Sequence, residues 1–351
     1  MIDPTFWSGR RVFLTGHTGF KGAWTSLLLR LLGAEIFGLA LSPDSDETLF
    51  VKCRVAEDVH HHIGDVRDLA TVRYALDEAR PSVVIHMAAQ ALVRQSYSEP
   101  VGTFSTNVMG TVNLLDAIRH VPGIDSVVIV TSDKCYQNTG SIWAYRETDP
   151  MGGYDPYSNS KGCAELVTSA YRQSFFADKA RPRVASGRAG NVIGGGDWAR
   201  DRLVPDAMRA FIESRPVHIR NPNAVRPWQH VLDPVCAYLV LAEHLTTFNS
   251  KADEGWNFGP AAANGVPVRV VADGLVQRWG GSARWEQDGD DHPHEASFLS
   301  LDCTKAHARL GWQPLFDLDQ ALDLTVDWYK AFAAGQDMRA VTQEQIKKSL
   351  L

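Results

Sequence analysis

The sequence predicts an α/β protein: a Rossmann-like, doubly wound parallel sheet followed by a smaller C-terminal α/β domain. Three observations predict it. A glycine-rich turn, Gly16-His17-Thr18-Gly19-Phe20-Lys21-Gly22, follows the apolar run Val12-Phe13-Leu14. Strand-like apolar runs then alternate with helical periodicity to about residue 190, the pattern of a parallel sheet. Beyond that point the alternation gives way to short helices, proline-rich turns and aromatics. We therefore place the first domain at residues 1–187 and the second at 188–351, with a segment of about 228–260 packing back on the first.

Arg11 to Thr15 reads as a buried strand, and apolar residues recur at helical spacing from Ala23 to Leu32. Gly33 stops that helix, and Glu35 to Leu41 is a second strand. Within this unit Gly16 permits the tight turn, Gly19 lets the backbone approach a pyrophosphate, and Gly22 lets the helix pack close to the strand. The helix N-terminus then offers free N–H groups to phosphate. Thr18, Phe20 and Lys21 belong to the same candidate cofactor loop. Strand two ends Leu39-Ala40-Leu41-Ser42-Pro43, with no acid before Asp44 to hold a ribose and no arginine to invite a 2′-phosphate. The choice between NAD and NADP is not written there.

His60 to Ile63 is a third strand, followed by Gly64-Asp65-Val66-Arg67-Asp68. Asp65 either accepts from an adenine amino group or caps the helix Leu69–Ala79; Asp68 reads as a cap. Val66 joins Asp65 as a candidate cofactor residue. His60-His61-His62 is not read as a metal site, because consecutive strand residues alternate faces. The acidic stretch Asp288–Glu295, with His292 and His294, reads as a solvated loop. Ser82 to His86 is a fourth strand, ending in Met87-Ala88-Ala89-Gln90, whose small residues let a cofactor lie close at a strand's carboxyl end. Pro100 to Arg119 is predicted as one long amphipathic helix carrying Asn107, a further cofactor candidate. Ser126 to Val130, a fifth strand, runs directly into Thr131-Ser132-Asp133-Lys134.

Asp155 and Pro156 suit the N-cap and first turn of a helix reaching Phe176, which puts Tyr157 and Lys161 on one face. Arg183 to Arg188 is a sixth strand. Gly190 to Trp198 is a loop, Arg220 to Trp228 is basic and rigid, and Pro234–Leu245 is an apolar helix returning to the sheet. Lys305–Trp312 is a helix stopped near Gly311, and the polar tail Gln336–Leu351 is expected to fray.

The bulk numbers narrow the function classes. The chain has 351 residues, 44% hydrophobic and 22% charged, enough for a sizeable core. Net charge is −6 with no basic block, so neither nucleic acid nor an anionic membrane surface is favoured. The opening residues carry no signal-peptide pattern, and no apolar stretch is long and clean enough to span a bilayer. Five scattered cysteines suit reduced thiols in a cytoplasm.

The chemistry follows from Ser132, Tyr157 and Lys161. A tyrosine is a useful base only if its pKa, about 10 when free, is lowered. A lysine one helical turn away does this by stabilising the phenolate. Ser132 then shares the proton of a substrate alcohol with Tyr157 while a nicotinamide takes the C–H hydride.

Five stretches carry a resemblance: Gly16 to Gly22; Thr131 to Tyr136; Pro150 to Lys161; Gly187 to Trp198; and Arg226-Pro227-Trp228-Gln229-His230-Val231. Over nearly its whole length the chain resembles the extended short-chain dehydrogenase/reductases (the NAD-dependent epimerase/dehydratase family), and within them the sugar-nucleotide 4,6-dehydratases. The resemblance implies NAD as cofactor and a nucleotide sugar, CDP-glucose, as substrate. It implies oxidation at C4 by Tyr157 with Ser132 and Lys161, loss of the C5 proton, and protonation of the departing C6 hydroxyl by Asp133. The hydride then returns to C6. The dTDP-glucose members place a Glu after that acid; this chain has Lys134, either a neutral base at C5 or a charged group stabilising the enolate. A 4-epimerase needs no such pair for elimination at C6, and a non-catalytic scaffold has no use for Ser132, Tyr157 and Lys161.

For the substrate side, the resemblance assigns Asn191 and Arg226 to the diphosphate, and Val204, Pro205, Arg220 and Asn221 to the base or sugar. Arg94 and Ser96 are further candidates, and Arg188 either joins them or pairs within the fold. The resemblance also implies a homodimer or homotetramer, formed through the helices Pro100–Arg119 and Asp155–Phe176.

Overall fold

Strands buried on both faces read as continuous apolar runs, and the computed structural model, which describes residues 2–178, 182–247, 251–261, 265–289 and 296–350, is built on such strands. The main sheet has seven: β1 (Arg11–Thr15), β2 (Glu35–Ala40), β3 (Val59–Ile63), β4 (Val83–His86), β5 (Ser126–Val130), β6 (Arg183–Ala189) and β7 (Gly255–Phe258). Their spatial order is β3-β2-β1-β4-β5-β6-β7, and every pairing is parallel. The order reverses between β1 and β4, which opens a crevice at their carboxyl ends. Every residue of β4 and β5 is buried.

Alternation along the strands divides the core. Phe13, Val84 and Val127 pack with Leu76 and Leu115 on one face; Val12, Leu14, Ile85 and Val128 pack with Leu27 and Leu239 on the other. The second face is covered by the helix Phe20–Leu31 and by Leu232–Thr246, whose apolar residues run all round it and are nearly all buried. β7 pairs with β6, with Gly255 opposite Ser186, so the chain returns to the first sheet after leaving it. The intervening segment makes short pairs: Val192–Ile193 with Gln229–His230, Val217–Ile219 with Trp285–Gln287, and Val225–Arg226 with Val266–Pro267.

Three elements differ from the sequence reading. The helix after the glycine turn begins at Phe20 rather than Ala23, because Gly19 is already its extended N-cap. The long helix predicted over Pro100–Arg119 contains a π turn at Ser105–Met109, between helical segments Pro100–Phe104 and Gly110–Ile118. The tail does not fray: Met338–Leu350 is a helix burying Met338, Thr342 and Ile346. Spacing of four places these on one face. Thr342 accepts from the Trp328 indole at 2.8 Å, and Arg339 pairs with Asp58 at 2.6 Å.

The three consecutive histidines go separate ways. His60 stacks on Phe37, His61 meets His17 with ring nitrogens 2.5 Å apart, and His62 lies against Tyr74. Residues 290–295 of the acidic stretch, including His292 and His294, lie outside the described residues. Among the described residues no helix is long and apolar enough to cross a membrane.

His230 is fully buried, edge-on to Trp24 and Phe316, and its Nε2 has no partner. Burial lowers its pKa from 6.5 to about 3. The unfolded chain therefore binds a proton that the fold refuses, and stability drains as pH falls from about 6.5 toward 3. We expect His230→Gln to flatten the pH dependence of unfolding free energy in that window by ~1.4 kcal/mol per pH unit. Urea melts of both proteins at pH 7, 6 and 5 measure it, and parallel curves would refute it.

Candidate active site

β5 ends at the sheet's carboxyl edge, and the chain there turns at once. Ser132 is extended (φ −156°, ψ 156°) and caps a 3₁₀ turn, Asp133–Cys135. Its Oγ accepts from the Lys134 amide at 3.2 Å and donates to Asp133 Oδ1 at 2.9 Å. Asp133 is fully buried, and its Oδ2 has no partner. Lys134 reaches outward, with Nζ 3.5 Å from Asp133 Oδ1 and 3.4 Å from Asn191 Oδ1.

Tyr157 and Lys161 come from the helix Pro156–Phe175, started by Asp155, whose side chain accepts from the Ser158 amide at 2.9 Å. The register of this helix is set from outside. Asn107, in the π turn, donates to Ser160 Oγ at 2.8 Å, and Ser160 donates to the Tyr157 carbonyl at 2.7 Å. Asn107 also exchanges hydrogen bonds with the Gln90 amide and carbonyl. The Asn107 side chain is thus committed to protein partners, and it orders the turn after β4 rather than reaching a cofactor. A π turn here seats one extra residue, a device common at functional sites.

Ser132, Lys134, Tyr157 and Lys161 line one cavity of about 660 Å³. The second region contributes Asn191, Val204, Pro205, Arg220, Asn221 and Arg226, and the segment after β4 contributes Ala89 and Arg94. The Tyr157 phenol hydrogen-bonds Ser132, but burial dominates and pushes its pKa up to about 12. The charge of Arg202, which also lines the cavity, pulls the phenol the other way. Lys161 itself is lowered to about 8 by burial, against the pull of Glu165, and its Nζ lies 3.4 Å from the Val130 carbonyl. Lys21 is lowered to about 7 by burial and by the charges of Lys161 and Arg202.

At the crevice between β1 and β4 the glycines make a cradle that side chains would fill. Gly16 has φ 76°, and a Cβ there would lie 2.7 Å from the Ala88 nitrogen. A Cβ on Gly22 would lie 2.1 Å from the Gly16 carbonyl, so Gly22 presses the helix onto its own turn rather than onto β1. Gly19 caps the helix with no side-chain bond, leaving the first N–H groups open to an anion. Thr18 donates to the Leu41 carbonyl at 2.9 Å, and Phe20 lines the cavity beside Lys21. These residues fit a dinucleotide. Asp68 caps the next helix; Asp65 does not, binding instead the amide and guanidinium of Arg67. Val66 is buried below Gly110. The Gln90 side chain is tied to the Leu92 backbone.

Two substrate candidates are corrected. Ser96 is fully buried and donates to the Val93 carbonyl at 2.6 Å. Arg188 is buried and pairs with Glu165 at 2.8 Å, so of its two readings the pairing within the fold holds. Burial works against ionising Glu165, yet Arg188, Ser186 and Thr131 together hold its carboxyl below the usual range. Arg188 also donates to the Tyr136 hydroxyl at 2.7 Å, which in turn donates to Asn257 of β7 at 2.6 Å.

A sequence profile described as GDP-mannose 4,6 dehydratase matches residues 13–325. The chain belongs to this dehydratase family. Within reach of the family, it is 52% identical over 350 residues to a CDP-glucose 4,6-dehydratase of Salmonella typhimurium, covering 99% of this chain and 98% of that one. Its fold matches the epimerase Mth375 of Methanothermobacter thermautotrophicus at a TM-score of 0.83, with 20% identity over 99% of this chain and 96% of that one. It also matches a dTDP-glucose 4,6-dehydratase from Bacillus anthracis, solved in complex with NAD, at 0.76, with 20% identity over 93% and 99% of the two chains.

Sequence reasoning missed Asp201 and Arg202, both of which line the cavity. The available signal was the charged triplet Arg200-Asp201-Arg202, just before the apolar helix Leu203–Ile212. The correction of Arg188 has a measurable consequence. Arg188→Met should cost about 3–5 kcal/mol by leaving a buried carboxylate uncompensated. Urea unfolding reads it; normal stability with a raised KM would return Arg188 to the substrate side.

Proposed function

We propose that this enzyme converts CDP-glucose to CDP-4-keto-6-deoxyglucose, with NAD as a resident cofactor, as a step in deoxysugar synthesis. One observation carries the reading: Ser132, Lys134, Tyr157 and Lys161 meet in one cavity of a chain half identical, end to end, to an enzyme of that name. Bound NAD would take a hydride from C4 of the glucose and return it to C6. The glycine cradle and the Phe20 helix N-terminus would hold its pyrophosphate, and Lys161 its nicotinamide ribose.

Tyr157 receives the proton of the C4 hydroxyl, and Ser132, bonded to the phenol, holds that hydroxyl in line. With Tyr157 pushed up to about 12 by burial, the phenol must lose its proton with the help of neighbouring cations, of which Arg202 is one. The C4 ketone acidifies the proton on C5, which leaves toward Lys134. Asp133 gives a proton to the departing C6 hydroxyl, and water is lost. The 3.5 Å between Lys134 and Asp133 is short enough for the two groups to serve one elimination. Oxidation and reduction balance within each turnover, so no cofactor is consumed.

The five cysteines are free thiols, which suits a cytoplasmic enzyme. For the assembly, we infer a pairing through the outer helices. Pro100, Val101, Phe104, Val108, Met109 and Cys163 line a shallow apolar groove, with Val101 82% and neighbouring Leu166 60% exposed. A second copy of the chain, packing the same helices across a two-fold axis, would cover it.

Three experiments test these readings. Purified enzyme incubated with CDP-, dTDP-, UDP- and GDP-glucose should give a 4-keto chromophore in base from the CDP sugar; no product from any sugar ends the dehydratase reading. Lys134→Ala should keep NAD but make product at least ~100-fold more slowly, with no exchange of the C5 proton for deuterium. Normal exchange would remove Lys134 from this role. For the assembly, Val101→Asp with Leu166→Glu should yield monomers by light scattering, whereas an unchanged mass would place the interface elsewhere.

A further inference from the structure

Two consecutive residues at the cavity wall, Asp201 and Arg202, reach across to the segment after β4. The Asp201 carboxylate accepts from Arg94 at 3.3 Å and from Arg220 at 3.2 Å, and its carbonyl accepts from Arg220 again at 3.3 Å. Arg202 donates to the Ala91 carbonyl at 3.4 Å and pairs with Asp197 at 3.0 Å. Arg94 comes from the helix Val93–Ser98, while Arg220 follows the short strand Val217–Ile219. One carboxylate therefore draws together guanidiniums from the two parts of the chain that enclose the cavity, and Arg94, Asp201 and Arg220 all line it.

Asp201 has φ 62°, in the left-handed region where aspartate and asparagine are the best tolerated side chains after glycine. The backbone thus sets where the Asp201 side chain leaves the chain, and rotation about its side-chain bonds can carry the carboxylate away to solvent. Its two partners are strong phosphate ligands, since the guanidinium fork matches a phosphate edge. The side chains of Arg94, Asp201 and Arg220 are 39%, 45% and 21% exposed. Ion pairs so exposed are individually weak. The buried Arg188–Glu165 pair, at 5% exposure on each side, could not be given up in the same way.

We propose that Asp201 is an internal stand-in for the diphosphate of the substrate. Before binding it keeps Arg94 and Arg220 drawn together at the cavity wall, and the incoming diphosphate takes the two arginines from it. The inference rests on the nucleotide-sugar reading above. The exchange is one anion for another: no covalent bond or proton moves, and the displaced carboxylate passes to solvent. Asp201 is thus a positioning residue that competes with the ligand it prepares for. A residue that merely braced the two parts of the chain would weaken binding when lost, whereas a stand-in strengthens it.

The test titrates CDP and CMP calorimetrically into the full-length, cofactor-loaded protein and its Asp201→Asn and Asp201→Gly variants. Both replacements accept the left-handed backbone, and thermal midpoints check that they fold. CDP should bind both variants about three- to tenfold more tightly than it binds the wild type, the scale of two exposed ion pairs removed. CMP should gain less, and the CDP gain should shrink as salt rises. Equal or weaker CDP binding by both variants overturns the proposal, as does an equal gain for CMP. Wild-type protein that binds CDP but leaves CDP-glucose unchanged overturns the dehydratase reading alone; wild-type protein that binds no CDP overturns both.

Discussion

The buried pair between Glu165 and Arg188 is the interaction on which the site depends. Glu165 stands on the helix that carries Tyr157 and Lys161, one turn beyond the lysine, and Arg188 stands on β6. Glu165 also accepts from Thr131 at the end of β5, and Arg188 reaches Tyr136, just past the Ser132–Lys134 turn. One carboxylate and one guanidinium thus tie together the helix, two strands and the loop that supply every reacting side chain. A buried ion pair is weak evidence for net stability, because desolvation offsets most of its attraction. Its value here is geometric. Its removal would leave an uncompensated charge where β5, β6 and the helix meet, so alternative packings of these elements are strongly disfavoured.

Above that pair, the cavity gathers cations: Lys21, Lys134, Lys161 and Arg202, with Arg94, Arg220 and Arg226 beyond them. Burial brings Lys21 to about 7 and Lys161 to about 8, and at Lys21 the charges of Lys161 and Arg202 add to it. A cavity so arranged suits ligands that bring several phosphates, and burial there works against protonation of Lys21 and Lys161. Asp197 and Asp201 partly offset the excess, each paired with an arginine of the same wall.

Much of this was legible in the sequence because it is written locally. Asp155-Pro156 starts a helix, and once it starts there, Tyr157 and Lys161 must share a face. The glycine turn follows its strand, and β5 runs straight into Ser132. What escaped notice joins residues far apart in the chain. Nothing near Arg188 says that its partner is Glu165, 23 positions earlier on another element. Asn107 looked like a cofactor ligand, and only the π turn shows that its amide is consumed by Gln90 and Ser160. Arg202 acts on Tyr157 because of where the second part of the chain returns, a tertiary fact. The tail misled for a different reason: its apolar stripe, Met338 and Ile346 with Thr342 between them and Val341 and Leu350 beside, is too sparse to stand out against a polar background.

That terminal helix also bears on how the protein comes to be made. It packs on the helix Phe20–Leu31 and on Leu49–Lys52, while Arg339 grips the carbonyls of Cys53 and Arg54. The outer face of the helix that starts at the glycine cradle is therefore finished by residues from a distant part of the chain, Arg339 lying 286 positions beyond the Cys53 that it grips. Domains usually settle in the order in which they are synthesised. Here the helix Phe20–Leu31 is fully covered only once Met338–Leu350 has been made, so the earlier unit waits, incompletely sealed, for a segment synthesised long after it.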